Sequence, residues 1–443
     1  MLERVVVIND DGLGRGGAAA MALTSVRLLA QRGIQVTLVS GDGSVEPGLP
    51  ALGVDVVPLN GIPIMTGARG SAALRGLFDG KTLRALRDWI AVHDTPRTVY
   101  HLHNWHKVLS PSIFEALLPV ASRLLMTAHD YFLVCPNGGY FHYPRGRECD
   151  LVPGSIRCLA ASCDRRHYGH KLWRFARHQV RRSLFDLTAT QATVIAVHEG
   201  MVPYLRRADV AEDVISVLRN PVTPWRTTRV SAERNKDVFF VGRLEKDKGV
   251  DLLARAARRA GARLRVVGDG PLRQTLAEEY PEVELLGWRS ANQIAALAAE
   301  ARMVVVPTRW RETFGLVALE ALMSGIPVIA SRFCLISDEI VRHRFGLACD
   351  PLDEVALVGA IKELAGDDDL VREISCRAFT LARGLAPTPT EWCDDLINSY
   401  EHKLSHSLPS VIGRALSTSP QSSPTGAVSD PVAVRPKIRE GAP

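Results

Sequence analysis

No stretch of this sequence stays apolar for long enough to cross a bilayer. Its opening, MLERVVVINDD, lacks a charged segment running into a long hydrophobic one, because Val5–Ile8 amounts to a single strand. A cytoplasmic protein is expected. The eight cysteines contain no C-x-x-C pair, so the spacing that most often signals zinc is missing. Cys135, Cys149, Cys158 and Cys163 still cluster, which leaves a structural zinc set as one reading and reduced thiols as the other. Acid is missing as well from Arg165 to Arg182, where Lys171, Arg174, Arg177 and Arg181 alternate with Leu172, Trp173 and Phe175. Such a run can adhere to anionic lipid headgroups, or form the solvated face of a helix over an apolar stripe. No nucleic-acid-binding motif accompanies it, so nucleic acid is not an expected partner. No short internal repeat points to a solenoid.

What is present is the composition of a globular enzyme-sized chain: 443 residues, 46% hydrophobic and 23% charged. That length implies two domains. A net charge of +6 and a pI near 8.9 favour an anionic substrate or surface. Short β-branched runs (RVVVIN, IQVTLVS, VDVVPL, RTVYHLH, RLLMTAH, TVIAVH) alternate with helical pattern, including a helix from Ala18 to Arg32. A second series runs through KDVFFV, ARLRVV, VELLG, ARMVVV and IPVIAS. Apolar strands alternating with helices predict parallel sheets covered on both faces. The expected organisation is two doubly wound α/β domains, at 1–222 and 236–385, joined by a Pro- and Thr-rich linker at 223–235. A last helix is expected over 386–404, and the Ser/Pro/Gly-rich segment 405–443 reads as a disordered tail.

Gly12, Gly14 and Gly17 have the G-x-G-x-x-G spacing of a dinucleotide-binding turn, which would make the protein an NAD-dependent oxidoreductase. That motif requires the first glycine directly after the strand, and Asn9, Asp10 and Asp11 intervene here. A capped turn explains the glycines equally well. In open α/β sheets ligands sit beyond the carboxyl ends of strands, and in the second domain these junctions are polar: GRLEKDKG, GDGPL and PTRWRETFGLVALEA. Arg243 and Lys248 there suit a leaving diphosphate, or else pair on the surface with Glu245 and Asp247. Glu312 falls in a loop and Glu320 in the following helix, where carboxylates can accept hydrogen bonds from sugar hydroxyls. The amides of Phe314, Gly315 and Leu316 open that helix.

Glu312 and Glu320, in ETFGLVALEALMSGIPVIAS, resemble the E-x7-E motif of retaining glycosyltransferases of family 4, also called glycosyltransferases group 1. The order GRLEKDKG, GDGPL, ELLGW, PTRWRETFGLVALEA extends the resemblance across the C-terminal domain, and YHLHNWHKVLSPSI, TAHDYFLVCP and RNPV extend it into the N-terminal one. The resemblance implies a GT-B architecture, in which two Rossmann-like domains face each other across a cleft. The last helix would cross back to the first domain. It also implies a nucleotide-diphosphate sugar as donor, held mainly by the second domain, and a glycan or lipid-linked acceptor of cell-surface polysaccharide synthesis on the first.

Residue by residue, the resemblance gives Arg243 and Lys248 the diphosphate and Glu320 the ribose hydroxyls. It gives Glu312 and the amides of Phe314–Leu316 the transferred sugar, and His129 a place over that sugar. Gly16, Gly17, Gly268 and Trp288 complete the donor side, with Trp288 beside the base. His103 and Asn104 are acceptor-side candidates; His101, His103 and His106 together leave a metal as an alternative. No pair of carboxylates at nucleophile and acid positions is evident, so a glycosidase-like double displacement is not expected. The family's mechanism is front-face transfer with retention and without a required cofactor or metal. Asp367 and Asp369 form a D-x-D in a polar turn away from any strand end, and receive no role. A scaffold with this fold and no turnover is the remaining alternative.

Overall fold

The computed structural model describes residues 2–407, apart from residues 65, 67 and 68; the tail expected from 405 onward lies, from residue 408, outside the described residues. The N-terminal sheet contains β1 (Arg4–Asn9), β2 (Gln35–Ser40), β3 (Asp55–Pro58), β4 (Thr98–Leu102) and β5 (Leu124–Ala128). After a two-stranded hairpin, β6 (Phe141–His142) and β7 (Arg147–Glu148), it is completed by β8 (Thr193–Ala196) and β9 (Ile215–Val217). Its seven strands are parallel in the order β3-β2-β1-β4-β5-β8-β9. The C-terminal sheet contains β10 (Asp237–Val241), β11 (Leu264–Val267), β12 (Glu284–Gly287), β13 (Ala301–Val306), β14 (Val328–Ser331) and β15 (Gly346–Cys349). These six are also parallel, in the order β12-β11-β10-β13-β14-β15.

The β1 sequence shows why both faces are covered. Val6 and Ile8 belong to the large core that continues through both domains, whereas Val5 and Val7 point into a second cluster. That second cluster includes Trp392, Leu396, Tyr400 and Leu404 from the helix Pro389–Ser407, which crosses back onto the N-terminal sheet. The helix therefore extends past the expected end at 404, into the segment read as tail. The Pro/Thr-rich passage after Arg219 is irregular but firmly attached. Val222 donates to the Pro387 carbonyl at 3.0 Å, the Arg226 amide to Ser324 Oγ at 3.1 Å, and Val230 and Ala232 are buried. Strands β9 and β15, at sheet edges, and the β6–β7 hairpin are too short to have shown a sequence period.

Candidate active site

Each sheet reverses its strand order once, between β1 and β4 and between β10 and β13. Loops at such switch points diverge and leave a crevice. Here the loops after β1, β4 and β5 face those after β10 and β13 across one cleft of about 1360 Å³. Gly16 and Gly17 stand at its edge, Gly16 with φ +109°, and a Cβ on Gly17 would sit 3.7 Å from Leu316 of the opposite domain.

The loop after β4 is fixed by two buried charges. Asp10, directly after β1, accepts four backbone N–H bonds at 2.8–2.9 Å, from His106, Lys107, Val108 and Leu109. Arg177, from the helix Tyr168–Leu184, donates to the carbonyls of Trp105, His106 and Leu109 and to that of Gly76. The loop is thus held by its amides on one side and its carbonyls on the other. Burial raises the Asp10 carboxyl despite those bonds and lowers Arg177 to about 10 despite Asp10. Asn9 accepts from the Asn104 side chain at 2.9 Å, so the residues that spoil the dinucleotide fingerprint build this loop instead.

Behind the cleft wall lies a histidine ladder. Tyr400 and Thr127 hydrogen-bond the two nitrogens of His101 at 2.7 Å each; His101 packs on His103 with ring centroids 4.1 Å apart; His103 Nδ1 meets His129 Nε2 at 2.9 Å. Burial holds all three well below the usual histidine range, with His101 at about 3 and His129 at about 4. They are neutral at physiological pH. His129 and Asn104 line the cleft, but His103 is buried behind His129, so the acceptor-contact assignment of His103 gives way to a positioning one. Of the trio His101, His103 and His106, the alternative metal set, His101 bonds two hydroxyls, His103 bonds His129, and His106 stacks on Phe132, so among the described residues they do not form a metal-spaced group. Beside His129, Asp130 faces the cleft with its carboxyl raised to about 6 by burial.

On the C-terminal wall, Lys248 Nζ donates to Glu312 Oε2 at 2.6 Å, with the ammonium 5.9 Å from the Trp310 ring centre. Arg243 also lines the cleft and pairs with Glu245 at 2.7 Å, the surface pairing that its sequence neighbours allow. Thr313, next to Glu312, donates to the His129 carbonyl at 2.6 Å and ties the two walls together. Phe314, Gly315 and Leu316 line the cleft where the short helix Leu316–Leu322 begins. Gly268 does not line it. Its Cβ would lie 1.9 Å from the Gly242 carbonyl, so only glycine lets the loops after β10 and β11 pack. Glu320 is half-buried one turn inside the helix, outside the cleft lining; burial raises it to about 7, opposed by a hydrogen bond with Trp225. Trp288 is 71% exposed and also stands off the cleft.

Residues 223–379, almost the whole C-terminal domain, match the family described as Glycosyl transferases group 1. The C-terminal domain carries the likeness to that family. It is 26% identical over 322 residues to a glycogen synthase of Mycobacterium tuberculosis, covering 70% of this chain and 68% of the relative. A GDP-mannose-dependent alpha-mannosyltransferase of the same species is 32% identical over 237 residues, 52% of this chain and 59% of that one. The sucrose-phosphate synthase structure from Thermosynechococcus elongatus superposes with a TM-score of 0.68 at 19% identity, over 91% of this chain and 100% of that one. The fold is GT-B, and the chain is a glycosyltransferase.

The basic run of the transferase is divided between the interior, the cleft and the surface. Lys171, Arg177 and Arg181 are buried, Arg181 donating to the Phe185 carbonyl, and Arg165, Arg166 and Arg174 line the cleft. Leu172 is the exposed side. Three of the run's cations are thus engaged inside the protein, while Arg165, Arg166 and Arg182 stay exposed. The four clustered cysteines do not form a zinc cage. Lys171 lies among them and donates to Cys158 Sγ at 3.3 Å, placing an ammonium where a cation would sit. Among the described residues, His198, Glu199 and Glu339 have metal-like spacing, but Arg219 already bridges both carboxylates. No helix among the described residues is long and apolar enough to cross a membrane. Asp367 caps the helix Asp368–Leu381 through the Leu370 amide, a structural duty. Asp10, Arg177, Asp130 and Thr313 are the site residues that sequence reasoning missed; the one sequence signal for them is the Asn9–Asp11 interruption of the glycine motif.

Proposed function

We propose that this transferase moves a sugar from a nucleotide-diphosphate sugar to a glycan or lipid-linked acceptor, with retention at the anomeric carbon, as in cell-surface polysaccharide assembly. The observation that carries this reading is the Lys248–Glu312 pair at the switch point, facing neutral His129 across the cleft. A diphosphate entering beside Lys248 and Arg243 takes over their charge and frees Glu312 to accept sugar hydroxyls. A nucleotide-sugar donor is also what the name of the mannosyltransferase relative specifies. As the bond between the anomeric carbon and the diphosphate oxygen breaks, negative charge grows on that oxygen, and Lys248 and Arg243 stabilise it. The acceptor hydroxyl attacks on the same face and gives its proton to the departing oxygen. His129, held unprotonated by burial and oriented by His103, offers the developing cationic sugar a neutral polar surface in place of a positive charge. Asn104 would meet the acceptor, and Glu320 and Trp288 the nucleoside.

A screen of nucleotide sugars, reading released nucleoside diphosphate and the anomeric configuration of the product, tests the reading. An inverted product, or no release with any donor, counts against it. With Lys248 and Arg243 assigned to the diphosphate on this reading, we expect transfer to survive EDTA within about twofold. Loss on chelation, restored by magnesium or manganese, would show a catalytic ion.

A further inference from the structure

A second link between the domains lies outside the cleft lining. Arg219, just after β9, donates to both carboxylate oxygens of Glu339, at 2.7 and 2.9 Å. His198, just after β8, meets Glu339 Oε1 at 2.9 Å. The Gly200 amide donates to the other ring nitrogen of His198 at 2.9 Å, so the ring hydrogen points at the carboxylate. Burial would raise Glu339, but the bonds from His198 and Arg219 outweigh it and hold the carboxyl at about 2, so it stays ionised. Arg219 also donates to the Leu385 carbonyl at 2.8 Å, beside the 3.0 Å bond from the Val222 amide to the Pro387 carbonyl. Both passages of the chain between the domains run side by side here, and Glu339 is gripped next to them.

Glu339 belongs to the helix Ser337–Arg342, and the loop before that helix holds Glu312. The Glu312 amide donates to the Phe333 carbonyl at 3.1 Å and the Leu335 amide to the Glu312 carbonyl at 3.0 Å, which commits both backbone groups of Glu312 to this loop. Leu335 in turn lies against the N-terminal domain, since a Cβ on Gly200 would sit 3.2 Å from its side chain. On the other side of Glu312, Thr313 bonds the His129 carbonyl. Glu312 is thus held between two bridges to the N-terminal domain, one at His129 and one at Glu339. Glu199 offers a comparison within the same ion-pair group. It takes Arg219 Nη2 at 2.6 Å, but it is exposed and belongs to the N-terminal domain, so it bridges nothing.

We propose that Glu339 is a positioning residue for transfer: gripped by Arg219 and His198, it sets, through the loop at Phe333–Leu335, where Glu312 stands relative to His129. This rests on the glycosyl-transfer reading above. On that reading the nucleotide is taken by the C-terminal wall, whereas transfer needs Glu312 and His129 together. Loss of the grip therefore acts on turnover and spares nucleotide affinity.

The test uses the full chain and Glu339→Gln, which keeps the shape and removes the charge. Release of UDP from UDP-glucose, or of GDP from GDP-mannose, should fall about tenfold or more in kcat, while UDP and GDP affinity by calorimetry stays within about twofold. Arg219→Met should do the same, and Arg219→Lys, which keeps the charge, should recover part of the rate. Glu199→Gln, which removes an exposed partner of the same arginine, should leave kcat within about twofold. Deuterium exchange in the absence of any donor reads the linkage directly. The amides of Glu312 and Leu335 should exchange faster in Glu339→Gln than in the native chain, and at the native rate in Glu199→Gln. Native exchange at both amides in a folded Glu339→Gln chain overturns the proposal, and so does an equal loss of kcat in Glu199→Gln. Failure of the native chain to turn over either nucleotide sugar would count against the transfer reading instead, and the exchange result would still decide the linkage. If Glu339→Gln does not fold, Arg219→Met and Arg219→Lys carry the same comparison.

Discussion

Lys248 and Glu312 meet at 2.6 Å while both remain partly open to the cleft. The ammonium is therefore held by an internal counter-ion, which on the proposed reading an incoming donor displaces. Lys248→Ala is expected to weaken nucleoside-diphosphate binding about tenfold or more, read by calorimetry, since a charge-assisted hydrogen bond contributes roughly 1.5–3 kcal/mol. Wild-type affinity in that variant would remove Lys248 from the donor site. Glu320 allows a second test. Its folded value of about 7 lies above the ordinary 4.5 because burial disfavours the ion. Between these values the folded chain keeps a proton that the unfolded chain releases, so stability falls as pH rises from about 4.5 to about 7 and levels off above. Glu320→Gln removes that penalty. Its melting temperature should exceed that of the native chain at pH 8 by roughly 2–4 °C, and match it at pH 4.5. Equal differences at both pH values would contradict a buried, titrating Glu320. Glu312 and Glu320 could be singled out because the E-x7-E pattern is local, whereas their contacts, Glu312 with Lys248 and Glu320 with Trp225, join positions distant in the chain that no local pattern pairs.

At the scale of elements, the strands were the readable part, since buried parallel strands are unbroken β-branched runs. The helix Tyr168–Leu184 was readable as a helix but not in its orientation. Its period was right, while the face carrying Lys171, His178 and Arg181 turns into the protein and Leu172 turns out. Burial of arginine depends on carbonyls that other elements supply, and no one-dimensional pattern records them. Arg177 and Asp10 show the consequence, being far apart in sequence yet clamped onto one loop from opposite sides. Arg177→Met should cost about 3–5 kcal/mol in chemical denaturation, the usual result of leaving a buried charge and its partners unpaired. Amides at 106–109 should also exchange faster with deuterium in Asp10→Asn, which replaces an acceptor of four bonds by a group that is half donor. Unchanged exchange over that peptide would mean that the loop holds itself.

Across the whole molecule, the helix Pro389–Ser407 links the ladder of rings behind His129 to the far end of the chain through Tyr400. Tyr400→Phe keeps the packing and deletes one buried hydrogen bond, so a loss of about 1 kcal/mol in stability is expected. Ending the chain at residue 388 is a harsher change. It uncovers the sheet face that Trp392, Leu396, Tyr400 and Leu404 bury, each worth on the order of 2 kcal/mol, and the N-terminal domain should then aggregate on expression. Soluble, two-state material from that truncation would show that the helix is dispensable. The return of this helix also changes the topology of the molecule. Leu2 and the last described turn both rest on the N-terminal domain, which makes the C-terminal domain an insert strung between two covalent attachments. A fluorophore pair placed on residues 2 and 407 would ride on a single body and report nothing of cleft opening, whereas a probe in the loop after β10 would. By the same geometry, a chain tethered to a bead through either of those positions would leave the C-terminal domain free to swing.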